Sequence, residues 1–148
     1  MKQRKRFKSN ERGATLVEFS IAATVFLVVV FGVIEFGRAL WTHNALSDAA
    51  RRGARYATLH SATEIEQVKN VVVYGNADGS GTPLVPNLTT ENVSVDYSNF
   101  ALNAGTVSVS VTGYEFQFIV PIVGTTITMP SYTTTLTGES VGWIPDNI

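Results

Sequence analysis

No cysteine occurs among the 148 residues, which excludes a disulfide scaffold, a thiolate nucleophile and any cysteine metal site. Histidine is nearly as scarce: His43 and His60 stand seventeen apart, and no HExxH zinc pattern joins them. The chain has no GxSxG elbow, no GxxxxGKS/T phosphate loop and no internal repeat. Asp96, Glu115 and Glu139 are scattered over strand or turn positions, where a solvated carboxylate is the ordinary state. No catalytic residue is assigned on this basis, and no metal, cofactor or small-molecule substrate is expected.

Charge is missing from one stretch and concentrated in another. Phe19 to Ile34, FSIAATVFLVVVFGVI, is sixteen residues without a charge, and Ala14 to Ile34 makes twenty-one if Glu18 is admitted. A bilayer-spanning helix needs about 20 residues, so the segment is long enough to cross. Residues 1–13 carry six Lys/Arg against Glu11, a surplus of five, whereas the rest of the chain has five basic and eleven acidic residues. A basic tail can meet nucleic acid or an anionic membrane face, and the apolar run behind it selects the membrane. The positive-inside rule then puts the N-terminus in the cytoplasm and the remainder outside, with Trp41 near the outer interface. A secretory signal peptide has a shorter apolar core, of about 7 to 15 residues, and an A-x-A-like cut, and no such cut follows Ile34.

The helical pattern continues beyond the apolar run. Leu46, Ala49, Ala50, Gly53, Ala54 and Ala57 fall on one helical face, while Asn44, Asp48, Arg51, Arg52 and Arg55 take the other. Ala45, Ala49, Gly53 and Ala57 repeat at every fourth position, a spacing that lets a second backbone approach closely. That strip suits either the chain's own sheet or a neighbouring subunit. Arg51, Arg52 and Arg55 form a small basic cluster that could meet phosphate groups, but a solvated helix face is the commoner case. Glu35 ends the apolar run with Arg38 three residues on, a spacing that suits a boundary ion pair.

After His60 the periodicity changes. SATEIEQVK reads as a short helix or turn with a capping-box spacing at Thr63 and Glu66. VVVY (71–74), NVSVDY (92–97), TVSVSV (106–111), EFQFIV (115–120) and TTITM (125–129) read as strands. In TVSVSV the valines 107, 109 and 111 should face a core and Ser108 and Ser110 water. NADGSGTPLVPN (76–87) reads as a loop; Asn76, Asp78 and Ser80 alternate as calcium ligands do, but the distal glutamate of an EF-hand loop is missing. The fold class is therefore α+β, a long N-terminal helix and then a small, mainly antiparallel sheet domain. Its parts are a basic leader (1–13), a transmembrane helix (14–42), an amphipathic extension (43–59) and a β-rich extracytoplasmic domain (60–148).

Glu18 is the sharpest single signal. A carboxylate costs roughly 2.5 to 3.5 kcal/mol at a bilayer's centre and less near its surface, so a lone glutamate inside an apolar helix asks for a partner. At four residues into the span, its side chain could also simply reach the head groups.

Gly13 followed by ATLVEF, with glutamate at the fifth position, resembles the processing site of type IV pilin-like precursors. RGATLVEF (12–19), FGVIEFGRAL (31–40) and ALSDAARRGARYA (45–57), in that order, resemble the TadE-like family of pseudopilins from Tad (Flp) pilus assembly systems. The stretch VSVSVTGYEFQFIVPIVGTTITM (107–129) is more loosely similar to the end of that family. The resemblance implies cleavage between Gly13 and Ala14 by a membrane prepilin peptidase, so this chain would be a substrate and not an enzyme. It also implies that Glu18 neutralises the new α-amino group of Ala14 in a neighbouring subunit. The implied partners are the inner membrane, the peptidase, other pilin or pseudopilin subunits and Tad membrane platform proteins. Phe19, where Flp-type pilins often have tyrosine, and the sizeable β-rich region shift the reading from a major pilin to a minor component. The alternative is a permanently anchored binding or adhesion module that is never cut.

Overall fold

A computed structural model describes residues 11–101, 104–119 and 126–137. Met1 to Asn10 of the expected leader, Val120 and Thr125 at the ends of two expected strands, and Glu139 lie outside the described residues. Helix α1, Glu11–Thr58, is one unbroken rod of 48 residues, about 72 Å at 1.5 Å per residue. A 3-10 turn (Ala62–Glu64) leads into α2 (Ile65–Tyr74), and a second 3-10 turn (Thr90–Asn92) opens the sheet region. The strands are β1 (Val93–Ala101), β2 (Ala104–Val111), β3 (Glu115–Gln117), β4 (Thr126–Thr128) and β5 (Tyr132–Thr137). One antiparallel sheet has the order β1-β2-β5, and β3 and β4 form a separate two-stranded ribbon. The α+β class holds.

The core follows from two periodicities meeting. Val107, Val109 and Val111 point inward from the central strand and are fully buried, as period-two alternation requires. They meet Leu46, Ala49, Ala50 and Ala54 of α1 and Val68, Val72 and Val73 of α2 in one cluster. Ser108 and Ser110 occupy the opposite face, where their hydroxyls bond Thr135 (3.1 Å) and Thr133 (2.8 Å) across to β5.

Two expectations change, and one strand forms where none is expected. VVVY is not a strand but the last turns of α2, because Val68, Val71 and Val72 share a buried helical face. Gly75 ends α2 with φ 80°, its N–H bonding the Val71 carbonyl. Packing against α1 overrides the β preference of three consecutive valines. The Thr63–Glu66 capping box does not form, since Thr63 is already inside the 3-10 turn and no side chain caps α2. The comparable bond is at Thr89, whose N–H donates to Asn92 Oδ1 at 3.1 Å, while Asn92 Nδ2 donates to the Thr112 and Gly113 carbonyls. Finally, β5 forms in a stretch that shows little hydrophobic alternation.

The 76–87 segment is a loop, as expected. Asn76 Nδ2 donates to the Ser80 carbonyl at 2.9 Å, and Asn76 Oδ1 accepts from the Ser80 N–H at 3.2 Å. These side-chain atoms close a turn on their own backbone. No group of three metal-binding side chains occurs among the described residues.

Candidate functional site

The two halves of α1 differ in what covers them. From Leu46 outward the inner face is sealed by the sheet and α2. The N-terminal half stands clear of the domain: an 18-residue stretch with mean hydropathy 2.5 is wholly unburied, and Phe19 is 70% exposed. It is the one helix among the described residues that is long and apolar enough to cross a membrane. Its small polar side chains need no outside partner, because Ser20 Oγ donates to the Leu16 carbonyl and Thr24 Oγ1 to the Ser20 carbonyl, each at 2.8 Å. Hydroxyls satisfied in this way can sit in lipid without loss.

Gly13, Ala14 and Glu18 lie on this exposed half. A side chain built on Gly13 would meet nothing within 4 Å. Both Gly13 and Ala14 are helical, so α1 runs through the boundary expected between leader and span. Glycine weakens a helix at its own position by about 1 kcal/mol relative to alanine, which eases local unwinding there. Glu18 has no ion-pair partner among the described residues, so its side chain is free to meet a group from outside the chain.

Glu35 and Arg38 do pair, but they do more than mark a boundary. Glu35 is only 7% exposed; its Oε2 takes the Arg38 guanidinium, and its Oε1 accepts the Ile119 N–H at 3.2 Å. Arg38 also reaches the Gln117 carbonyl at 3.5 Å and lies 5.0 Å from the centre of the Phe116 ring. The pair thus fastens the end of β3 to α1 at the point where the helix leaves its apolar run. One turn further out than Ala39, His43 Nδ1 meets the Tyr132 hydroxyl at 2.8 Å and ties β5 to the same helix. Burial pushes the Tyr132 phenol above its ordinary pKa. No local sequence pattern marks these long-range partners of Glu35 and His43.

Of the four-residue strip, Ala49, Gly53 and Ala57 are buried and Ala45 is half-buried. A Cβ on Gly53 would collide with Val72 and lie 3.2 Å from Val109 Cγ1. The chain's own domain occupies this close approach, which decides the strip in favour of helix–sheet and α1–α2 packing. Arg51, Arg52 and Arg55 remain on the exposed face, with Arg51 3.8 Å from Asp48 in a solvated pair.

Residues 13–55 match the family model described as TadE-like protein. The match covers the exposed half of α1, the Glu35–Arg38 junction and most of the buried strip. No curated protein and no solved structure matches the chain.

Proposed function

With a TadE-like segment at residues 13–55 as premise, we propose that this chain is a minor pilin or pseudopilin that assembles or primes a Tad-type pilus. It sits in the bacterial inner membrane as a single-pass protein, N-terminus in the cytoplasm and β domain outside. A prepilin peptidase cuts between Gly13 and Ala14, and Glu18 then meets the new amine of Ala14 on an adjacent subunit. The chain is a structural component and not an enzyme.

The observation that carries this reading is the bare N-terminal half of α1, apolar and exposed, with a carboxylate that has no ion pair among the described residues five positions from an open glycine. An intramembrane carboxylate is costly without a counter-charge, and a cleaved neighbour displaced outward by four residues, about 6 Å along the axis, supplies one. The second reading, a permanently anchored adhesion module, uses the same anchor and domain but keeps the leader. N-terminal mass analysis of the chain extracted from membranes containing the peptidase separates the two. A start at Ala14 is expected, and a chain that still carries residues 1–13 would reject processing in favour of the permanent anchor.

A further inference from the structure

A groove of about 480 Å³ lies between α1 and the β3–β4 ribbon, within the roughly 300–1,000 Å³ range of small-molecule sites. Phe31, Gly32 and Ala39 form its helical wall, and Phe118, Ile127 and Met129 face them. Along α1 it runs from Phe31 to His43, twelve residues or about 18 Å. Its lower end is therefore continuous with the apolar run that ends at Ile34, and its upper end rises beside the folded domain.

We propose that this groove holds one acyl chain of a membrane phospholipid, drawn up from the outer leaflet. Length supports this: half of a hydrocarbon core of about 30 Å is about 15 Å, the reach of one leaflet's chain. Chemistry supports it too, because the two polar residues on its wall are already engaged, Glu35 with Arg38 and the Ile119 N–H, His43 with Tyr132. The rest of the wall is apolar, so little polar surface is left to recruit a polar ligand. Exposure of Ile127, 51% in the bare chain, is relieved by such an occupant.

This inference rests on the reading of α1 as membrane-inserted, and the test separates the two. The full chain is placed, one copy per disc, in phospholipid nanodiscs containing a phosphatidylcholine with a photoactivatable diazirine on one acyl chain, and labelled residues are mapped by mass spectrometry. Labelling of Phe118, Ile127 or Met129 together with residues 14–34 is expected. Labelling confined to 14–34 would overturn the groove while leaving the span intact, and no labelling in either region would overturn both. Gly32→Leu fills the lower end of the groove, and a Cβ there meets nothing within 4 Å, so the fold is retained. It should abolish labelling of Ile127 and Met129 and keep that of the span. Undiminished labelling of the ribbon in Gly32→Leu would overturn the proposal, as would undiminished labelling in Ala39→Phe, which closes the groove higher up.

Discussion

Gly13→Ile adds a β-branched side chain where nothing lies within 4 Å, so any loss of processing arises at the peptidase and not from misfolding. We expect the variant to keep its leader, read as the intact N-terminal mass. Glu18→Ala removes an exposed carboxylate with no described ion pair, so it should be cut normally yet fail to enter the assembly, measured as subunit recovered with sheared pili. Unchanged recovery would make Glu18 an interfacial residue only. Glu35→Ala differs, because it strips two partners of a buried acceptor, the Arg38 guanidinium and the Ile119 N–H. Leaving such groups unpaired costs about 1–3 kcal/mol, which should appear as a lower unfolding midpoint and faster proteolysis near β3. All three residues stand out in the sequence, and the Glu35–Arg38 pair forms as its spacing suggests. Glu35 looks like half of an i, i+3 pair, and its second partner is 84 positions away.

At the scale of elements, α1 is legible because its signals are local: an uncharged run, then small residues every three or four positions. The same holds for β2, whose alternating valines are buried as the pattern requires. VVVY was not legible, because a short β-branched run has the same composition in a strand as on a helix packed against small residues. Gly53 lies where α1 passes close to α2 and β2, since a Cβ there would collide with Val72 and lie 3.2 Å from Val109 Cγ1. Gly53→Val should therefore overpack the junction and destabilise the domain by about 1–3 kcal/mol. Urea denaturation of the detergent-solubilised protein checks this, and an unchanged midpoint would mean that α2 can shift aside. Gly37, with nothing within 4 Å of a built Cβ, provides the control, and Gly37→Ala should be neutral or stabilising.

For the whole molecule, three tyrosines couple the fold to alkaline pH. Burial raises Tyr97, Tyr114 and Tyr132 above the ordinary phenol pKa; the charge of Glu64 adds to this at Tyr97, and Arg38 opposes it at Tyr114. Their hydroxyls are structural donors, Tyr97 to the Ala57 carbonyl at 3.3 Å and Tyr114 to the Pro86 carbonyl at 2.8 Å. The folded chain therefore holds these protons at a pH where the unfolded chain has released them. Their contribution to stability is complete below about pH 10 and is lost as pH rises through the elevated folded values. Unfolding midpoints should be insensitive to these groups near neutrality and fall above about pH 10, with a shallower fall in Tyr132→Phe.

The sequence by itself determined the division of this protein: a basic N-terminal stretch, an apolar helix, an amphipathic continuation of the same rod, and a β-rich remainder. Each of these depends on residues within a few turns or one strand of each other, so composition and period suffice to read them. The match to the TadE-like family model spans the same local stretch, residues 13–55. Only the tertiary structure decided which surface closes the small-residue strip, that 71–74 is helical, that β5 completes the sheet, and that Glu35 holds β3. Those choices depend on contacts between residues far apart in the chain, where burial and hydrogen bonding outweigh local preference and leave no periodic trace in the sequence.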